Sequence, residues 1–295
     1  MRLGMMCSRS SLLRTRSPGP ALRLVAGFVG LLLLPSAALA GAESDWVSSG
    51  GGAVRLVAGA TAGGALDAGV EIRLQPGWKT YWRYPGDSGV PPRFDWSGSE
   101  NLASVAVKWP APHRFDDGGG SYSIGYKRDL VLPLVVTPKD PARKLALKLT
   151  LDFAVCEKIC QPARAELALD VPAGGAAPSN PELVAAQASV PAQAALGAAG
   201  PTGIGRVQMT EDDGVPVLRI EARTAHAESA DLFVEGPNED WALPLPIRSA
   251  GPDGTTLFTV PIDGVPKGAD IAKTPLRLTL VDGERAVEVE ATPSR

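Results

Sequence analysis

The sequence predicts an all-β chain made of two β-sandwiches joined by an Ala/Pro/Gly-rich linker. Three observations predict it. Apolar and polar residues alternate with period two in two separate blocks. The alternating runs are short and broken by turns, in a chain with 33 Gly and 27 Pro. The length of 295 residues suits about two domains of ~100–150 residues each. Charged residues are 21% and hydrophobic ones 44%, which is globular composition.

The first forty residues read as an export signal. Arg2, Arg9, Arg14, Arg16 and Arg23 precede an apolar stretch from Leu24 to Leu34, and no acid occurs before Glu43. Pro35 breaks the run, and Ala38-Leu39-Ala40 supplies small residues for cleavage after Ala40. A stretch that short does not span a bilayer, which takes roughly 18–20 residues. No apolar run elsewhere is long enough either, so a multispan membrane protein is excluded and the mature chain is expected to be periplasmic and not membrane-spanning. Cys7 lies upstream of the apolar core and is expected to leave with the signal. Removing residues 1–40 leaves 24 Lys+Arg against 32 Asp+Glu, a formal charge of −8. A net acidic chain with no basic run argues against a nucleic-acid partner.

Residues 41–172 form the first block, with five of the six Trp and all four Tyr. Strands are expected where Val70, Ile72 and Leu74 alternate, then Val105, Val107 and Trp109, then Leu130, Leu132, Leu134 and Val136. The longest run is Leu145, Leu147, Leu149, Leu151, Phe153 and Val155, with Lys144, Lys148, Thr150 and Asp152 between. Ala165, Leu167, Leu169 and Val171 follow it. This is a half-buried antiparallel pattern. Residues 173–204 are the expected linker, within which Asn180-Pro181-Glu182 caps a short helix through Gln187 that Pro191 stops. Residues 205–295 resume the alternation through Val217, Ile220, Leu232, Val234, Leu257, Thr259, Leu276, Leu278 and Leu280. Asp282-Gly283 marks a tight hairpin before Ala286–Ala291. About seven strands fit a second sandwich.

One constellation carries chemistry. Without the signal, the chain keeps two cysteines, Cys156 and Cys160, at the end of the longest alternating run. An even count in an exported chain suggests that they can pair. Left extended, residues 156–160 would hold their Cα atoms about 13 Å apart, whereas a disulfide needs about 4.4–6.8 Å. The chain must therefore turn between them, which puts both sulfurs at a hairpin tip. Three readings stay open on the residues alone: a structural staple, a metal site and a redox pair. The staple is weakened by loop length, since so short a loop stabilises by only about 2 kcal/mol in the chain-entropy model. Two His and three Cys leave little for a four-ligand metal cage. Reversible exchange with a partner's disulfide needs only the two thiols.

Gly77-Trp78-Lys79-Thr80-Tyr81-Trp82, Pro85-Gly86-Asp87-Ser88-Gly89, Trp109-Pro110-Ala111-Pro112, Tyr126 through Leu132-Pro133, and Cys156 to Cys160 with Pro162 occur in that order. Together they resemble the N-terminal periplasmic domain of the DsbD family, and in particular its ScsB-type variants linked to copper-stress redox systems. The resemblance covers about residues 45–172. It implies an immunoglobulin-like sandwich, extended by analogy to the second block. It also implies that Cys156 and Cys160 are the active pair, with no cofactor beyond their redox-active disulfide. Its partners would be thioredoxin-fold periplasmic proteins and a membrane-embedded thiol reductase. The family's mobile cap loop is best matched by Phe115, Asp116, Asp117, Gly118, Gly119, Gly120 and Tyr122. Cysteine spacing departs from the best-known members, which have a longer insert. No thioredoxin-type Cys-x-x-Cys occurs in the chain, so a separate reductase is expected to supply electrons. A non-catalytic binding protein with a structural disulfide, and a copper-binding stress protein, are the alternatives.

Other candidates carry less. The run from Trp78 to Tyr84 is expected to turn Trp78, Thr80, Trp82 and Tyr84 to the core and to leave Lys79, Tyr81 and Arg83 as decoration. Asp87-Ser88 with His113 lacks the sequence around a hydrolase nucleophile. His113 beside the cysteines would need a further ligand to make a copper or zinc site. Asp116 and Asp117 read as solvated loop residues, and His226 as a surface residue.

Overall fold

The computed structural model describes residues 43–174 and 180–295. The expected signal segment, with Cys7, lies outside these residues. In the first block the strands are β1 (Val47–Ser49), β2 (Gly52–Ala62), β3 (Ala65–Leu74), β4 (Lys79–Gly86), β5 (Arg93–Asp95), β6 (Leu102–Val107), β7 (His113–Gly118), β8 (Ser121–Tyr126), β9 (Leu130–Pro138), β10 (Leu145–Cys156) and β11 (Cys160–Val171). One sheet runs β1-β2-β3-β9-β6, and the other β11-β10-β4-β8-β7 with β5 added alongside β10. The alternation explains the layering. Leu145, Leu147, Leu149, Leu151, Phe153 and Val155 all lie in the core, while Lys148 and Asp152 between them are exposed. Val54, Leu56, Val70, Ile72, Leu132 and Leu134 face them from the other sheet.

Helix α1 (Pro181–Ala188) forms where the sequence expects it. The Asn180 side chain accepts hydrogen bonds from the backbone N–H groups of Glu182 and Leu183, at 2.9 and 3.1 Å. Those two donors have no partner within the first helical turn. Leu183 is buried against Val57 and Val131 of the first sandwich. β12 (Ala192–Gln193) then pairs in parallel with a strand of the second block, Ala192 opposite Val287. Within the stretch expected as a linker, α1 thus docks on the first block and β12 on the second. One buried leucine on an otherwise Ala-rich helix is enough to seat it.

The second block continues with β13 (Gly203–Asp212), β14 (Val215–Arg223), β15 (Asp231–Glu235), β16 (Ile247–Ala250), β17 (Thr256–Pro261), β18 (Leu276–Asp282) and β19 (Arg285–Ala291). Its sheets run β12-β19-β18-β15 and β13-β14-β17-β16. Two details differ from the sequence reading. In β17 the buried set is Thr256, Phe258 and Val260, so Leu257 and Thr259 sit on the outer face. Phe258 is the largest apolar side chain of that strand, and its burial decides the parity. The two-residue turn of the last hairpin is Gly283-Glu284, because Asp282 pairs with Arg285. Gly283 takes the positive φ of 64°. The Asp282 carboxylate is fully buried and accepts from Thr202 Oγ1 at 2.6 Å and from the N–H groups of Ala225 and His226 at 2.7 and 2.8 Å. His226 itself is largely exposed at its side chain.

Candidate redox site

β10 and β11 pair along their whole length, from Leu145 opposite Val171 to Cys156 opposite Cys160. Residues 157–159 make the turn, and the two cysteines form a disulfide with Cα atoms 4.1 Å apart. The alternation also settles their surroundings. Val155 points into the core, so Cys156 faces out from it. That outer face is covered nonetheless. Cys156 is buried, and it clusters with Tyr81 and Ala154 in a small second apolar patch. Cys160, at the start of β11, is exposed, and the neighbouring Ile159 is 75% exposed at the tip.

β4 supplies the floor of the site. Its register with β10 sets Lys79 opposite Cys156 and Thr80 opposite Val155. Trp82 lies fully in the core and Trp78 packs at its edge, as the run of aromatics leads one to expect. The expectation that Lys79 and Tyr81 are decoration is corrected: both are buried. The loop Pro85–Gly89 folds back over Tyr81, so a Cβ on Gly89 would meet the Tyr81 ring at 2.7 Å. The Tyr81 hydroxyl lies 2.9 Å from Cys160 Sγ. Burial, and then the nearby Asp117 carboxylate, push the Tyr81 phenol pKa upward, so the phenol keeps its proton.

The stretch matched to the cap is a hairpin of paired strands. β7 and β8 pair from His113 opposite Gly125 to Gly118 opposite Ser121. Gly118, Gly119 and Gly120 all have positive φ, at 86°, 65° and 84°, and this lets the chain reverse so tightly. Asp117 is exposed, as expected, but it stands in strand β7 with its carboxylate engaged. It forms an ion pair with Lys79, and the Ser88 hydroxyl donates to its other oxygen at 2.7 Å. Burial raises the pKa of its carboxyl, but hydrogen bonds from Lys79, Ser88 and Ser123 outweigh that and hold it below the usual range. Asp116 instead accepts from the N–H of Gly118 at 2.8 Å. The Lys79 ammonium also donates to Ser123 Oγ at 2.8 Å and lies 5.8 Å from the centre of the Phe115 ring. Asp87 and Tyr122 exchange backbone and side-chain hydrogen bonds, which knits the Pro85–Gly89 loop to β8. Asp87 and Ser88 are thus structural members of the site's rim.

The structure joins Cys156 to Cys160, and joins Asp117 to Lys79, the strand neighbour of Cys156, with Phe115 over that lysine. Phe115 itself is stacked on by Lys127, at 4.4 Å. His113 opens into a cleft of about 660 Å³, also lined by Tyr126, Lys127 and Arg128. Burial and the Arg128 charge lower its pKa. Among the described residues no three His, Cys, Asp or Glu side chains are grouped to hold a metal ion. Lys79, Tyr81, Ser88 and Ser123 were missed as site residues. Parity already put Lys79 and Tyr81 on the same kind of face as Cys156. What the sequence lacked was the pairing of β4 with β10.

Residues 53–172 match the family model of the thiol:disulfide interchange protein DsbD, N-terminal. Residues 189–295 match a domain of unknown function, DUF8393. No curated protein sequence matches the chain. The crystal structure of the N-terminal periplasmic domain of ScsB from Proteus mirabilis is similar, with 23% sequence identity, a TM-score of 0.67 and coverage of 86% of this chain and 99% of that one. That likeness extends the shared fold beyond the first sandwich into the second. The matched residues, 53–172, carry the disulfide hairpin and its aromatic floor.

Proposed function

We propose that Cys156 and Cys160 form a periplasmic thiol–disulfide exchange centre, acting through the disulfide alone and without a further cofactor. Its partners are thioredoxin-fold proteins, and a separate membrane-embedded thiol reductase recharges it. The observation that carries this reading is the asymmetry of the pair: Cys160 exposed at a hairpin tip, Cys156 buried behind it. In the reduced protein the Cys160 thiolate attacks the partner's disulfide. A Cys160–partner bond forms, and the partner's second sulfur leaves as a thiolate and takes up a proton. Cys156, once deprotonated, attacks Cys160 Sγ. The mixed bond breaks, the partner leaves fully reduced, and the Cys156–Cys160 bond closes. Two electrons pass to the partner. The reductase returns the pair to its dithiol by the reverse sequence.

Tyr81 is placed to donate to Cys160 Sγ. A hydrogen bond to sulfur favours the thiolate, the reactive form. Lys79 brings a cation to the strand position opposite Cys156, shared with Asp117. In Cys156→Ala, Cys160 keeps its thiol but the resolving sulfur is gone. This variant is expected to trap a mixed disulfide with a thioredoxin-fold protein, and Cys160→Ala is expected to trap far less. If neither variant traps one, and the wild-type bond resists reduction by thioredoxin-like dithiols, the exchange reading is wrong.

A further inference from the structure

We propose that the second sandwich is a clamp that sets the reactivity of the disulfide site, with β15 as its gripping strand. The proposal rests on reading the cysteine pair as an exchange site. Strand parity is the starting observation. Leu232 and Val234 lie in the core of the second sandwich. The intervening residues, Asp231, Phe233 and Glu235, therefore face the other way, and each grips the first sandwich. Asp231 takes two hydrogen bonds from the Arg114 guanidinium, at 2.6 and 3.1 Å. Phe233 is fully buried in the first core, its ring 5.6 Å from that of Trp82. Glu235 takes three from Arg83, at 2.7, 2.9 and 3.2 Å. Pro246 O and Glu288 reinforce the two arginines, and the Tyr84 hydroxyl donates to Leu243 O at 2.8 Å.

The gripped residues are not scattered. Arg83 stands two residues beyond Tyr81 on β4, and Arg114 three before Asp117 on β7. β4 and β7 carry the two sides of the Lys79–Asp117 pair, and β4 also carries Tyr81, which meets Cys160 of β11. Both arginine–acid pairs are partly buried, so releasing one partner removes charge compensation from a half-buried contact. A mere spacer would need no such ladder. By fixing β4 against β7, the ladder holds the hairpin and the loop over Tyr81 in one arrangement. Arg83, Arg114, Asp231, Phe233 and Glu235 are positioning residues that act on the cysteines through Lys79, Tyr81 and Asp117.

The test uses the full chain and dithiothreitol, so it needs no protein partner. One dithiothreitol thiolate attacks Cys160 Sγ, Cys156 leaves and is protonated, and ring closure of dithiothreitol releases the Cys160 thiol. Two electrons pass to the pair. In Asp231→Asn and in Arg114→Gln, folded by near-ultraviolet circular dichroism, reduction is expected to change about fivefold or more, the lower end of ordinary coupling between sites. Amide exchange at 115–122 should rise in step. Arg93→Ala, which removes only the exposed Arg93–Glu239 pair, should leave the rate unchanged. Parental rates in folded Asp231→Asn and Arg114→Gln would overturn the clamp. Should neither variant fold, hydrogen exchange of the wild type decides. Joint opening of 115–122 with 231–235 supports the clamp, and free opening of 115–122 while 231–235 stays protected overturns it. Failure here leaves the trapping result standing, and failure to trap a partner does not alter these rates.

Discussion

At the scale of single residues, the site depends on which side of a strand each side chain takes. Tyr81 tests this most finely. Tyr81→Phe keeps the ring that covers Cys156 and removes only the hydroxyl beside Cys160 Sγ. One hydrogen bond is worth ~0.5–1.5 kcal/mol. The reduced variant is therefore expected to hold less Cys160 thiolate near neutral pH and to alkylate roughly two- to tenfold more slowly there. The check is the pH dependence of its alkylation rate, and an unchanged profile would mean the hydroxyl does not donate to the thiolate. Much of this was legible in advance. The two cysteines, their turn and the outward aim of Cys156 all follow from period-two alternation and the reach of five residues. Tyr81 and Asp117 did not follow, because their roles depend on strands far apart in sequence. Asp117 finds Lys79 across 38 positions, and Tyr81 finds Cys160 across 79.

At the scale of elements, glycines show which segments are shaped by the backbone and which by contact. Gly119 has a positive φ and open space around it. Gly119→Ala therefore costs only the left-handed conformation, ~1–2 kcal/mol, and should lower the melting temperature without altering the disulfide's reactivity. Gly86 has a positive φ too, but a Cβ there would meet the Tyr122 carbonyl oxygen at 2.7 Å. Gly86→Ala is expected to cost more and to push the Pro85–Gly89 loop off β8, so that reduction by dithiothreitol accelerates. Equal reduction rates in the two variants would show that this loop does not shield the site. Helix α1 illustrates how far local signals reach. Asn180, Pro181 and Pro191 placed it within a residue of its observed end. Its docking was hidden, since a single leucine on an Ala-rich stretch carries no periodic pattern. The triple glycine signals a reversal of the chain, and positive φ at all three makes that reversal the tight tip of the β7–β8 hairpin.

At the scale of the whole molecule, two cores carry the stability and the disulfide adds little. Replacing both cysteines with Ala removes a five-residue loop constraint worth about 2 kcal/mol. The double variant is expected to fold, to melt a few degrees lower, and to lose all exchange with protein disulfides. Failure of that variant to fold would favour the staple. Asp282 gives the pH side of the second sandwich. Burial works to raise its pKa, but hydrogen bonds from Thr202, Ala225 and His226 outweigh it and hold the carboxyl below its ordinary value of 3.8. The unfolded chain then binds the proton more readily, so this group stabilises the fold above about pH 4 and ceases to as pH falls through the folded value. Asp282→Ala should flatten that acid limb in equilibrium unfolding. A limb as steep as the parent's would assign it to other carboxylates.

The all-β architecture was written in the alternation of both blocks, whereas the grip of β15 on β4 and β7 was not. Asp231, Phe233 and Glu235 look like an ordinary outer face until the second sandwich is set against the first. The central claim is that the Cys156–Cys160 bond opens and closes in use. Its reduction potential, measured by equilibrating the protein with dithiothreitol or glutathione buffers, tests that most directly. The account predicts a value more oxidising than about −300 mV, the level below which structural disulfides ordinarily lie. A potential clearly below that level would contradict it and leave the pair a staple.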